Sequence, residues 1–404
     1  MSTVAPAPNA VVSLEQKEPG DEESVGIKSS EEEHDNEVST NNIGWGVAFG
    51  LALFAGVAIL SLAVSLAIGL NRNDNNDAQA TAFEDTGGKD INPNLIIYDE
   101  ALAILESTPL QYKKVPSGET LSYREYNAGQ PNVLVVLPGF MADDSMTSIL
   151  AVMPELQDHY IIAVNPRGWN GSTMNKPIIS HEENAEEVME LLKLLRIEKP
   201  LVMGLSTGGG IAFYLAQKYP DMIKAAFLVH SIPLSGLKYL TINNELVVLK
   251  SIEEIRASAI LPSDDPGMIY ELFKSMSTEP YHFIPKCHKL NDYFVRAAQN
   301  MPGSSDVSVA NASFNVTPIR TTFALPSEAL STLKTKLVVI HGSQDFIAPW
   351  QIVEPLIKLA IAEQWAPPGK LSFYDDGLSH MGIIDSPNAL ARVYRQALVE
   401  QVLV

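Results

Sequence analysis

Short apolar runs rich in β-branched residues recur from about residue 110 to the end of the chain, and helical patterns separate them. The runs occupy residues 133–137, 160–164, 201–203, 225–229, 337–340 and 371–374. Runs without polar interruption are typical of parallel strands that are buried on both faces of a sheet. Strands that alternate with helices predict a doubly wound, mostly parallel α/β sheet.

The segments between the runs support this fold class. Residues 207–219 and 386–403 have the apolar spacing of amphipathic helices, and residues 180–183 have the form of a capping box at a helix start. Residues 111–115 and 120–127, joined through Pro-Ser-Gly, predict an antiparallel hairpin at the sheet edge.

Residues 235–332 interrupt the alternation with segments rich in Met, Tyr and Phe. A connection of this length between two strands is far longer than an ordinary loop. We therefore predict an inserted helical cap at 235–332, with the α/β core formed by residues 110–234 and 333–404.

Residues 43–70 carry no charge, and Ser61 and Ser65 are the polar side chains in this stretch. About 20 apolar residues span the hydrocarbon of a bilayer, so this run predicts one transmembrane helix and a single-pass membrane protein. Gly46 and Gly50 form a GxxxG motif, which suits a weak homodimer through the helix; the alternative is that small residues are simply common in such helices. Basic residues are too few on either flank to predict which side holds the rest of the chain.

The acidic net charge of the chain argues against nucleic acid as a partner. The formal net charge is −20, and residues 1–42 hold ten Asp/Glu against two Lys, which predicts a disordered acidic tail. Residues 71–109 are predicted to be a linker. Nucleic-acid binding is not expected, because no basic stripe is available for phosphates. The single cysteine, Cys287, excludes an internal disulfide and a Cys-rich zinc site, and no metal or cofactor is predicted.

The pentapeptide Gly204-Leu-Ser206-Thr-Gly208 matches G-x-S-x-G. It follows an apolar run and opens a predicted helix, which is the strand–turn–helix setting of a nucleophile elbow. A serine hydroxyl needs a base to take its proton, and that base needs an orienting carboxylate. Asp345 and His380 follow the runs at 337–340 and 371–374, in the chain order Ser, Asp, His that this fold requires.

An oxyanion hole would complete this site. Pro138 and Gly139 follow the run at 133–137, where a turn can present a backbone N–H to a developing oxyanion. We expect the amides of Phe140 and Thr207 to be the donors.

These motifs resemble the α/β-hydrolase superfamily, of the type that bears a cap, over almost three quarters of the chain. The matching stretches are Leu137-Pro-Gly139-Phe140, Asn165-Pro-Arg167-Gly168-Trp-Asn-Gly171-Ser172, Gly204-Leu-Ser206-Thr-Gly208-Gly209, Gly342-Ser-Gln-Asp345 and Ser379-His380. The resemblance implies Ser206 as nucleophile, Asp345 as orienting acid and His380 as base. Pro138 stands where the family usually has His, and Asn165 stands where it usually has Asp.

The remaining titratable residues are interpreted as structural. We expect His341 to be a packing residue, His230 to lie in the core or at its rim, and Arg167 to brace its own loop. Asp376 is a minor rival to Asp345, and the pair Asp375–Asp376 is expected to help place the loop of His380.

These observations predict a membrane-anchored serine hydrolase that cleaves an ester-type bond through an acyl-enzyme. Its expected partner is a small-molecule acyl substrate, and cap residues such as Tyr293 and Phe294 either line its site or pack the cap. An acyltransferase, a thioesterase and a peptidase would use the same triad. A non-catalytic receptor on the same scaffold is the alternative from another class.

Overall fold

The computed structural model describes residues 93–140, 142–176, 180–231, 238–240, 246–248, 289–300, 330–345, 347–348 and 350–403. The predicted acidic tail, the predicted transmembrane helix at 43–70 and most of the predicted cap lie outside these residues. No helix within the described ranges is long and apolar enough to cross a bilayer.

The central element is an eight-stranded sheet within the described chain. Its strands are β1 (Gln111–Lys114), β2 (Thr120–Tyr126), β3 (Asn132–Leu137), β4 (His159–Asn165), β5 (Leu201–Leu205), β6 (Ala225–Val229), β9 (Lys336–His341) and β10 (Leu371–Asp375), in the spatial order β1-β2-β4-β3-β5-β6-β9-β10. β1 and β2 pair antiparallel, as does β2 with β4, and the other neighbours are parallel. The predicted fold class and edge hairpin are confirmed.

Successive residues of the central strands enter two separate cores, because strand side chains alternate between faces. In β3, Leu134 and Val136 belong to one apolar cluster, while Val135 and Leu137 belong to the other. All four side chains are fully buried. This double burial is why the strands appear in the sequence as unbroken apolar runs.

Helices cover both faces of the sheet. They are α1 (Pro93–Ser107), α2 (Thr147–Ala151), α3 (His181–Leu194), α4 (Gly208–Lys218), α5 (Lys289–Asn300), α6 (Trp350–Ala362), α7 (Gly382–Asp385) and α8 (Pro387–Gln401). α3, α4 and α6 contribute to one apolar cluster, and α1, α2, α5 and α8 contribute to the other.

Part of the predicted linker is helical, which corrects the assignment of residues 71–109. α1 buries Tyr98, Ala101 and Leu105, which lie three and four residues apart on one side of the helix. The Tyr98 hydroxyl also donates a hydrogen bond of 2.5 Å to the carbonyl of Ile384. Residues 93–107 therefore belong to the folded domain.

The predicted helical cap is mixed where the structure describes it. β7 (Lys238–Leu240) and β8 (Leu246–Val248) form an antiparallel pair, which corrects an all-helical assignment. Val and Tyr in these short runs favour strands. Within α5, Phe294 is buried in the same apolar cluster as Tyr98, so its side chain packs rather than lines a site.

Candidate active site

Ser206 lies in the turn between β5 and α4, at the carboxyl edge of the sheet. Its backbone φ of +49° places it in the left-handed region, which is unusual for a residue with a side chain. The Ser206 amide donates to the carbonyl of Val229 at the end of β6, with a distance of 2.9 Å. Ser231 Oγ donates to the Ser206 carbonyl over 3.1 Å, so bonds from the neighbouring chain hold the turn on both sides.

Glycine is required around this turn because strand, turn and helix meet closely. A Cβ on Gly204 would lie 2.3 Å from the carbonyl oxygen of Gly208. A Cβ on Gly208 would lie 2.4 Å from the carbonyl oxygen of Leu137 on β3. The predicted nucleophile elbow therefore has the geometry that its glycines imply.

The structure brings together the three residues that the sequence separates. His380 Nε2 lies 2.9 Å from Ser206 Oγ, and His380 Nδ1 lies 2.9 Å from Asp345 Oδ2. With a neutral imidazole, the Ser206 hydroxyl donates to Nε2 while Nδ1–H donates to the carboxylate. Ser206 and His380 are partly exposed, whereas Asp345 is buried. The two groups that would contact a substrate therefore face outward, and the carboxylate lies behind them.

Asp345 is fixed in place by the loop that follows β9. Its Oδ1 accepts hydrogen bonds from the amides of Ile347 and Ala348, each at 2.9 Å. Although burial raises the pKa of this carboxyl group, the neighbouring His380 and His230 outweigh that effect and hold it well below its usual range. Asp345 is therefore ionised at neutral pH, as an orienting acid must be.

A second histidine approaches the same carboxylate from the end of β6. His230 is buried, its Nε2 lies 2.7 Å from Asp376 Oδ2, and its Nδ1 lies 3.4 Å from Asp345 Oδ2. Burial alone would lower the pKa of His230, but the carboxylates of Asp376 and Asp345 raise it to about 10. His230 lies at the core rim, as predicted, and its carboxylate partners come from loops more than 100 positions further along the chain.

Asp376 is consequently the partner of His230 and not of His380. Its Oδ1 accepts from the amide of Leu378 at 3.0 Å, and Asp375 Oδ1 accepts from the amides of Ser343 and Gly377. The bond from Ser343 joins the loop after β9 to the end of β10, and the other two bonds hold the loop that leads to His380. The prediction that the acidic pair places the His380 loop is confirmed.

His341 has the packing role predicted for it. Its Nε2–H donates to the carbonyl of Ala348 at 2.7 Å, and its ring stacks on Trp350 with centroids 6.2 Å apart. Burial lowers its pKa to about 4, so the imidazole is neutral at physiological pH.

The two predicted oxyanion donors lie at the ends of elements beside Ser206. Thr207 immediately precedes α4, where the amides of a helix start favour negative charge. Phe140 follows Gly139, and a Cβ on Gly139 would lie 3.0 Å from Ser206 Cβ. The position of the turn suits an oxyanion hole, and the assignment of these two amides stays a prediction.

Arg167 braces its loop, as predicted. Its guanidinium is fully buried and donates to Glu187 Oε2 at 3.0 Å and to Glu183 Oε1 at 2.9 Å. Asn165, where the family usually has Asp, donates to Asp144 Oδ1 at 2.6 Å and accepts from the Asp144 amide at 2.9 Å. Both polar side chains are thus used inside the protein.

Within the described chain, ligand-type atoms gather within 4.8 Å of one another at His230, Asp345 and His380. His380 Nδ1 is hydrogen-bonded to Asp345, and His230 is paired with a further carboxylate at Asp376. We interpret the group as a network of charges and protons rather than a metal site.

Solved structures with the same architecture belong to hydrolases. A hydrolase from Pseudomonas aeruginosa has 18% identity and a TM-score of 0.55, over 72% of this chain and 98% of its own. A candidate lipase from Acinetobacter baumannii has 16% identity and a TM-score of 0.56, over 78% and 98%. An esterase from Thermogutta terrifontis has 17% identity and a TM-score of 0.52, over 73% and 99%. At these identities the likeness concerns the fold alone.

The sequence itself carries the family assignment. A family profile described as "alpha/beta hydrolase fold" matches residues 132–387, from the start of β3 to the start of α8. That range includes the turn of Ser206 and the loops of Asp345 and His380. The chain belongs to the alpha/beta hydrolase fold family.

Proposed function

We propose that the chain is a serine hydrolase that cleaves an ester-type bond. The observation that carries the proposal is the chain of two 2.9 Å contacts from Ser206 Oγ through the His380 ring to Asp345 Oδ2. His380 would take the proton of Ser206 as its oxygen attacks the carbonyl, and would then return that proton to the leaving alcohol. A water molecule activated in the same way would release the acyl group.

The environment of each group supports its proposed role. Ionised Asp345 stabilises the imidazolium that forms during attack, and its two bonds from backbone amides keep it from rotating away. The strained elbow exposes the Ser206 hydroxyl at the edge of the sheet. The amides of Phe140 and Thr207 would receive the negative charge on the carbonyl oxygen, where one donor is typically worth about 10²–10³ in rate.

A fluorophosphonate probe tests the chemistry without a known substrate, because it modifies only an activated serine. We expect labelling of the wild-type protein and none of Ser206→Ala. Ser148 provides the matched control, because it is a buried serine in α2 whose hydroxyl donates to the carbonyl of Ser145. Ser148→Ala should still be labelled. A folded wild-type protein that resists the probe would contradict the proposal and favour the non-catalytic receptor.

The acyl group and the acceptor are then defined by product analysis. We propose an apolar acyl ester, and a series of p-nitrophenyl esters of increasing chain length tests this preference. Release of free acid in water supports the hydrolase, whereas transfer to an added alcohol or amine in preference to water would favour the acyltransferase. Faster turnover of a thioester or a peptide amide would assign the triad to those bonds.

Membrane attachment through residues 43–70 is part of the same proposal, and the support for it is the uncharged apolar run. We expect the full chain to resist extraction from membranes by alkaline carbonate and a chain lacking residues 1–70 to be released. Extraction of the full chain would contradict the anchor. Protease digestion of sealed vesicles of known orientation identifies the side that carries the hydrolase domain.

A further inference from the structure

His230 has a setting that an ordinary core histidine lacks. It follows β6 with a backbone φ of +48°, and its buried ring points one nitrogen at Asp376 and the other at Asp345. Nδ1 makes no hydrogen bond to the described residues, and the atom it faces is Asp345 Oδ2 at 3.4 Å. That oxygen is the one that His380 Nδ1 contacts at 2.9 Å.

The geometry therefore joins two Asp–His pairs through one carboxylate oxygen. The network runs from Asp376 through His230 and Asp345 to His380 and ends at Ser206. Among the residues that the structure describes, the titratable groups around His230 are these two aspartates, His341 at a centroid distance of 5.7 Å and His380 at 6.3 Å. His341 is neutral, so the carboxylates decide the charge of His230.

We propose that His230 is a positively charged positioning residue, held between Asp376 and Asp345, that sets the lower end of the pH range in which His380 acts as a base. This role rests on the proposed serine hydrolase function. With His230 charged, the cluster behind His380 consists of two carboxylates and one cation. Without it, His380 would face two uncompensated negative charges.

The sign of the effect follows from this count. The His230 cation lies 6.3 Å from the His380 ring and disfavours protonation there. Removing the cation makes protonated His380 more favourable, and a protonated base cannot activate Ser206. The acidic limb of the pH–rate profile must then move to higher pH.

The test measures the rate of fluorophosphonate labelling of the full chain against pH. For His230→Gln we expect the acidic limb to shift upward by about one pH unit or more. His341→Gln is the matched control: it removes a buried histidine from the same sheet edge, but a neutral one, so its acidic limb should stay in place. Coincident limbs for wild type and His230→Gln would overturn the inference.

Asp376→Asn must not move the acidic limb to higher pH. Removing this carboxylate leaves the limb unchanged if His230 loses its proton, and shifts it to lower pH if His230 stays charged. An upward shift, as in His230→Gln, would mean that the two variants disturb the site by simple loosening, and would overturn the inference.

A measurement on the wild-type protein avoids any folding defect of the variants. The chain has eight histidines, and ring ¹⁵N chemical shifts in the full-length labelled protein distinguish an imidazolium from a neutral ring. At about pH 8.5, two units above the usual histidine value, we expect one imidazolium signal that His230→Gln removes. Eight neutral rings would overturn the inference. A wild-type protein that does not react with the fluorophosphonate probe would instead overturn the proposed function. Failure of the inference and failure of the proposed function are therefore distinguished.

Discussion

Two regions of this protein bury several charged side chains together. They differ in whether any member of the cluster remains exposed and able to react. One surrounds Arg167 between the end of β4 and the helix α3; the other lies at the ends of β6, β9 and β10 behind Ser206. In the Arg167 cluster, Glu187 and Glu183 take up the guanidinium donors, and Glu119 lies 3.8 Å away. The Arg167 guanidinium is fully buried, and its hydrogen bonds go to other groups of the protein.

The cluster behind Ser206 is arranged along a line rather than closed. His380 and Ser206, at its outer end, are partly exposed, and in its middle His230 Nδ1 faces the Asp345 carboxylate without a hydrogen bond. Burial and pairing perturb pKa values in both clusters, since Glu187 and Glu183 raise the pKa of Arg167 although burial would lower it. A perturbed pKa alone therefore does not identify a functional site; an exposed, reactive end does.

The largest expected difference between the two clusters is the loss of activity on substitution of Asp345. Asp345→Asn keeps the shape of the side chain but removes the charge that stabilises protonated His380. We expect the rate of ester cleavage to fall by about 10³–10⁴. Urea unfolding provides the control, and a loss of stability that accounts for the whole loss of activity would contradict an orienting role.

Arg167 should show the reverse behaviour. Arg167→Met leaves the buried Glu187 without its cation, while the partly exposed Glu183 keeps Lys176 at 2.8 Å. We expect the free energy of unfolding to fall by about 3–5 kcal/mol. The labelling rate per folded molecule should not change. Lys218→Met is the matched control, because Lys218 pairs with Glu182 and Glu186 at the surface and such pairs contribute about 0–1 kcal/mol. Equal losses for the two variants would show that burial does not matter here.

The pH dependence of stability sharpens the comparison. The pKa of His230 is raised from an unfolded value near 6.5 to about 10, so its contribution is complete below 6.5 and is lost as the pH rises toward 10. Between about pH 7 and 10 this group should lower the free energy of unfolding by up to about 1.4 kcal/mol per pH unit. Urea unfolding at a series of pH values measures the slope.

His230→Gln is the comparison for that slope, since it should show a weaker decline over the same interval. Arg167→Met should retain the wild-type slope, although its stability is lower throughout. A wild-type slope that survives in His230→Gln would assign the titration to another group.

Much of the fold could be predicted because the strands are buried on both faces. Unbroken apolar runs located six strands of the sheet to within two residues, and the order Ser206, Asp345, His380 located the site. These features depend on residues that are close together in the sequence, so they can be recognised without the structure. The structure adds the distances that make the three residues one group.

The features that escaped prediction depend on contacts between distant segments. Tyr98, Ala101 and Leu105 have helical spacing, but the surface that α1 covers is formed by distant segments, the helices α2 and α5 and the backbone at Ile384. The pairing of His230 with Asp376 cannot be predicted from local patterns, because the two residues are 146 positions apart. Each feature nevertheless has a signal in the sequence. For α1 it is the helical spacing. For His230 it is its place at the carboxyl end of β6, next to the strand that leads to Ser206, because topology brings such a residue to the edge of the site.

The smallest expected change in stability concerns the helix cap at Ser180, next to the Arg167 cluster. Ser180 precedes α3 with an extended backbone, and its hydroxyl accepts a hydrogen bond of 3.1 Å from the amide of Glu183. Ser180→Ala removes this cap, and we expect the free energy of unfolding to fall by about 1 kcal/mol. The cap also fixes the first turn, which carries the Glu183 carboxylate that Arg167 binds. A double variant with Arg167→Met therefore should lose less than the sum of the two single losses. Strict additivity would mean that the cap stabilises the helix without positioning that carboxylate.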